Sequence, residues 1–153
     1  MVRRSKTQQV PHVPNEWPEP RLEPRVLVEE ADEVGRWATV RLLERSGFEV
    51  GECPGPDATR GWECPIPRGV TCPLVEGADA IVFSLSLGSE ENRAILGTHR
   101  RTILERPVCV EATGPEASAN RHLLEGCSVV SPGGLGDLVS EVVSALRGRP
   151  MDD

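Results

Sequence analysis

The chain has 153 residues, the length of one domain, and a domain of that size can bury a core without crosslinks. Its net charge of −7 argues against nucleic acid as a main partner, because phosphate binding needs clustered cations, and against an anionic membrane surface. No stretch approaches the roughly 20 apolar residues of a membrane span, and the basic start at Val2 to Lys6 runs into Gln8, Gln9, Pro11 and Pro14 where a signal peptide would turn apolar.

The expectation is a cytoplasmic protein whose five cysteines are thiols or metal ligands rather than structural disulfides. Residues 1–24 carry Pro11, Pro14, Pro18, Pro20 and Pro24 among polar and charged side chains, and read as a disordered or extended tail with Trp17 incidental on the surface.

From Arg25 the pattern changes. Val26-Leu27-Val28 suits a strand buried on both faces. Asp32 can cap the helix that follows, to which Val34, Trp37, Ala38, Val40, Leu42 and Leu43 would lend a broad apolar surface, and Gly47 ends it. Phe48 to Val50 reads as a second strand and Asp79 to Phe83 as a third. Ser89 opens a helix through Ile95, Leu96, His99, Ile103 and Leu104. Val108 to Val110 is a fourth strand, Ser118 to Glu125 a short helix, and Ser128 to Val130 a fifth strand. A last helix places Leu138, Val139, Val142, Val143 and Leu146 on one stripe. The Gly133-Gly134-Leu135-Gly136 run before it could offer backbone donors to an anion, though turn-making accounts for it. Short apolar strands alternating with amphipathic helices predict an α/β fold, a doubly wound parallel five-stranded sheet in the order 2-1-3-4-5.

Residues 53–73 break this rhythm. Cys53-Pro54, Cys64-Pro65 and Cys72-Pro73 repeat one dipeptide, with Pro56 and Pro67 between them, and the prolines forbid a continuous second helix. Only Pro73 to Glu76 can make a helical turn. A long irregular crossover in a compact domain implies a function or a tether. Thiolates at Cys53, Cys64 and Cys72 could supply that tether by holding zinc or an iron–sulfur cluster, although their spacing matches no standard finger or ferredoxin pattern and no fourth ligand is evident. Redox sensing and plain loop thiols are the other readings. Cys109 and Cys127 read as small core residues.

Across 25–148 the chain resembles a response-regulator receiver domain. Arg25 to Glu30 resembles the first strand and its acidic end, Arg45 to Val50 the turn into the second, and Ala78 to Ser84 the third. Pro107 to Val110 resembles the fourth strand, and Val129-Val130-Ser131-Pro132 the end of the fifth. The resemblance implies a phosphoacceptor aspartate after the third strand, an acidic pair for magnesium after the first, and a lysine after the fifth. Those places hold Ser84, Glu30 with Ala31, and Ser131, and the hydroxyl switch position holds Ala112. Lys6, in the tail, is the sole lysine. The expected protein is a phosphorylation-incompetent, non-catalytic regulatory or interaction module with a protein partner, a homodimer being one form of that contact. The alternative is a thiol-based metal or redox sensor. An enzyme using Glu30, Ser84 and Glu111 ranks last, because no nucleophile–base pair can be assembled.

Overall fold

A computed structural model describes residues 16–147. Five strands, β1 (Arg25–Glu29), β2 (Glu49–Cys53), β3 (Ala80–Phe83), β4 (Val108–Glu111) and β5 (Ser128–Val130), form one parallel sheet in the order β2-β1-β3-β4-β5. The helices are α1 (Glu33–Arg45), α2 (Pro73–Glu76), α3 (Glu90–Arg100), α4 (Gly114–Ala119) and α5 (Leu135–Arg147). The expected doubly wound topology is the one observed.

Alternation along each strand divides the core into two layers. Val26, Val28, Ala80, Val82, Cys109 and Val130 face α1 and α5, where Leu43, Leu138 and Val142 are fully buried. Leu27, Ile81, Phe83, Val108 and Val110 face the other way, toward α2, α3 and the crossover loop. Glu29, the last residue of β1, points into this second layer and is 3% exposed.

Several sequence expectations shift. The buried stripe of α1 is Arg36, Thr39, Val40 and Leu43, while Val34 and Trp37 stand in solvent. Arg36 fixes this phase by reaching the Glu30 carbonyl at 2.9 Å and the Glu52 carboxylate at 3.2 Å. Helix α3 stops at Arg100, short of Ile103 and of Leu104, which is exposed. Helix α4 lies earlier than Ser118 to Glu125 because Thr113 and Glu116 form a capping box that starts it at Gly114. The turn expected at Pro73 to Glu76 is present as α2.

The tail needs a correction. Residues 1–15 and 148–153 lie outside the described residues, but residues 16–24 dock on the domain. Trp17 is half-buried against the second core layer, its Nε1–H donates to the Leu74 carbonyl at 3.0 Å, and the Arg25 guanidinium sits 5.3 Å from its ring centre. A Cβ on Gly51 would come within 2.9 Å of the indole and one on Gly77 within 2.3 Å, so both glycines make its seat. Among the described residues no helix is long and apolar enough to cross a membrane.

Candidate functional site

In a parallel sheet of this kind, sites form beyond the carboxyl ends of the strands. Here β1 ends at Glu29-Glu30, β3 at Ser84 and β4 at Glu111. The Ser84 backbone N–H donates to the Glu29 carbonyl at 2.8 Å, and the Ser84 side chain lies near enough to the Glu30 carboxylate to favour its charged form. Glu30 also accepts from the Asp32 N–H at 3.1 Å. Burial pushes the Glu30 carboxyl above the ordinary range, partly offset by those contacts. Burial and then the charge of Glu30 raise Glu111 as well.

Glu30, Ser84 and Glu111 therefore stand at the carboxyl ends of the adjacent strands β1, β3 and β4. Ser131 follows β5 and is exposed, and among the described residues no hydrogen bond or ion pair joins its side chain to Ser84 or Glu30. Ala112 is buried, with its N–H on the Val130 carbonyl at 3.0 Å, and offers no hydroxyl. This end of the sheet thus has two carboxylates of raised affinity for protons, with a serine near one of them and, among the described residues, no ion pair to either.

A second feature lies on the other side of Glu29. With α2 cut to a single turn, the crossover from β2 arches over β1 and β2 through an antiparallel bridge of Asp57 with Trp62 and two 3-10 turns at 58–60 and 66–68. Beneath it is a cavity of about 510 Å3, lined among others by Leu27, Glu29, Cys53, Trp62, Cys64 and Cys72. The three cysteines of the Cys-Pro dipeptides, separate in sequence, are brought to one wall. Register explains part of this, since Glu29 of β1 sits directly beside Cys53 of β2.

Burial and the nearby Glu29 charge push the Cys53 thiol up to about 12, and burial pushes Cys64 up to about 11. All five cysteines are free thiols. Among the described residues no group of three or more His, Cys, Asp or Glu side chains is arranged to hold a metal ion. Cys109 is fully buried in the core, as expected, and Cys127 is half-buried.

Sequence reasoning missed the centre of this region. His99 of α3 is buried beneath the cavity with its Nε2 2.6 Å from Glu29 Oε1, and its Nδ1 is buried without a partner. The Phe83 ring meets the imidazole edge-on at 6.2 Å between centroids. The available signal was an acidic residue closing an otherwise apolar strand and a histidine on the apolar stripe of a helix.

No protein-family model and no curated protein matches this sequence. Solved structures do. A receiver domain from Methanospirillum hungatei superposes with a TM-score of 0.59 at 16% identity, over 83% of this chain and 96% of that one. The chain has the receiver fold. A receiver domain from Clostridium thermocellum gives a TM-score of 0.59 at 17% identity, over 82% of this chain and 95% of that one. A protein described as one of a novel family of redox sensors in the streptococci, evolved from two-component response regulators, gives 0.60 at 13% identity, over 82% of this chain and 52% of that one. On this fold Ser84 directly follows β3.

Proposed function

We propose that this domain is a non-catalytic regulatory or protein-interaction module, a receiver scaffold that does not take a phosphoryl group. The observation that supports it is Ser84 beside the Glu30 carboxylate, at the end of β3, where the resemblance calls for an acceptor carboxylate. A serine there cannot form an acyl phosphate, and among the described residues no imidazole or lysine pairs with it to complete a nucleophile–base pair. No lysine follows β5 to pair with phosphoryl oxygens.

The output is then a contact with another protein or a second copy. Receivers commonly signal through their α4-β5-α5 face, and here Arg121 and Glu141 are exposed on that side. Acetyl phosphate with magnesium should leave the intact mass of the full chain unchanged. A stoichiometric, hydroxylamine-labile phosphoryl group on Glu30 or Glu111 would overturn the reading. Arg121→Glu or Glu141→Arg should weaken self-association or partner binding in sedimentation while leaving the circular dichroism unchanged.

A second reading, a thiol-based metal or redox sensor, is favoured by the convergence of Cys53, Cys64 and Cys72 on one cavity. Three sulfurs with the neighbouring Glu29 carboxylate make a donor set that suits zinc or an iron–sulfur cluster once the sulfurs are deprotonated and drawn together. The similar streptococcal protein is itself described as a redox sensor. Thiols pushed up to about 12 and about 11 stay protonated at neutral pH, so fast attack on an oxidant is not expected of Cys53 or Cys64. Elemental analysis of protein purified without oxygen tests the metal form. If a metal is shared, Ser at any one of the three positions should cost as much stability as Ser at all three. Independent costs of about 1 kcal/mol or less each would rule it out.

A further inference from the structure

At about 510 Å3, the cavity under the Cys-Pro loop is far larger than a metal ion requires and falls in the usual range of small-molecule sites, about 300–1,000 Å3. Its walls are mainly apolar, with Leu27, Ile66, Leu74 and Val75 forming the floor and far side and Trp62 at the loop. The polar groups on its lining are three thiols and three carboxylates, Glu29, Glu52 and Glu63, with no lysine, arginine or histidine among them. Arg36 and Arg68, which pair with Glu52 and Glu63, are not part of the lining.

Glu29 is the decisive member. Its side chain is 4% exposed, its Oε1 is held by His99, and among the described residues no hydrogen bond reaches its Oε2. That oxygen is not one of the fully buried unpartnered atoms, so it meets the cavity's solvent, and a ligand that displaces this solvent must supply a donor in its place. His99, with its own Nδ1 unpartnered and Phe83 against its ring, fixes where that oxygen sits.

We propose that this cavity binds a small organic ammonium compound, its apolar body against Leu27, Ile66 and Leu74 and its N–H donors on Glu29 Oε2. A carboxylate or phosphate ligand would face three acids with no cation on the lining. A hydrocarbon would strip solvent from Glu29 Oε2 and give it no donor. A bare metal ion would leave most of the volume empty. As the input of a regulatory module this rests on the reading above. As a binding event it does not, and phosphoryl transfer to Glu30 would overturn that reading without affecting this one.

The test uses the full chain with phenethylamine, its neutral analogue phenethyl alcohol, its anionic analogue 3-phenylpropionate, and Zn2+. Binding is followed by thermal shift and by the iodoacetamide alkylation rate of each cysteine, read by peptide mass. Phenethylamine should raise the midpoint and slow alkylation of Cys53, Cys64 and Cys72 but not of Cys127, which lies outside the cavity. The alcohol should bind about tenfold or more weakly, as expected for loss of a charge-assisted hydrogen bond on a buried group, and the acid not at all. Glu29→Gln should abolish the preference for amine over alcohol. Because that variant alters a buried pair, Leu74→Trp, which fills the cavity from its wall, should independently remove protection by the amine. Equal binding of amine and alcohol, no protection at millimolar amine, or joint protection of the three thiols by Zn2+ alone would each overturn the proposal.

Discussion

Replacing His99 with Leu isolates the buried pair on which the cavity rests. The imidazole is fully buried and the Glu29 side chain is 4% exposed, so the substitution leaves a carboxylate without its partner among Leu27, Phe83 and the thiols. Breaking a buried pair by removing one member costs about 3–5 kcal/mol, because the remaining group keeps its desolvation penalty. For a chain of this length each kcal/mol lowers the thermal midpoint by about 2–4 °C, which puts the expected loss on the order of 10 °C. Glu29→Met should cost a similar amount by orphaning the imidazole, whose Nδ1 already lacks a partner. The double variant removes both polar groups and fills their space with apolar atoms, so it should lie closer to the wild type than either single change. Urea denaturation of the four proteins gives the coupling energy directly. Single variants within about 1 kcal/mol of the wild type, or two costs that simply add, would refute the claim that this pair is a dry, mutually dependent unit.

Glu30→Gln should bring the Glu111 midpoint down, because the Glu30 charge is the second cause of its elevation after burial; carbonyl NMR titration reads this, and an unmoved Glu111 would mean the two carboxylates do not sense each other. Both carboxyls are raised in the folded state, so their contribution to stability is present below the ordinary carboxylate range and lost as pH rises through the folded midpoints. Glu30→Gln should therefore gain on the wild type as pH rises through that range, and a gain confined to the acid side would contradict the sign. Trp17→Ala should cost about 2 kcal/mol, below the usual range for a fully buried Trp because this one is half-exposed. Gly77→Ala should also destabilise by crowding the indole, and the two changes should cost less together than their sum; strict additivity in thermal melts would place Trp17 elsewhere. Cys109, fully buried, should alkylate only on global unfolding, and native-state labelling of Cys109 at the rate of Cys64 would contradict its place in the core.

The sheet was legible because its signals are local and repeated: three- to five-residue apolar runs, Asp32 and Ser89 as caps, and the α5 stripe that buries Leu138 and Val142. The misplaced elements share one cause, an apolar residue taken as buried when a polar neighbour sets the phase. Trp37 points outward because Arg36 is tied to Glu30 and Glu52, and α4 starts early because Thr113 and Glu116 cap each other. That β3 runs into Ser84 was readable from the sequence alone. The Glu29–His99 pair was not, because its members are 70 residues apart in sequence and meet only when α3 is laid across the sheet.

The cavity and the docked tail are two consequences of one loss. A full second helix would cover the face of β1 and β2 on this side of the sheet with several turns of apolar residues. Here α2 offers only Leu74 and Val75, and the crossover adds Ile66 from its second 3-10 turn, which packs against α3. Trp17 takes part of the uncovered face, seated over Gly51 and hydrogen-bonded to Leu74, where larger side chains on β2 or α2 would have excluded it. What remains uncovered lies over Glu29, and its walls share Leu74 with the Trp17 seat. A ligand that packs on Leu74 from the cavity side would therefore brace the same residue whose carbonyl holds the indole. If the cavity takes a ligand as proposed, its occupancy would be coupled to docking of the N-terminal segment, a physical route from a bound molecule to an outer surface that needs no phosphoryl group.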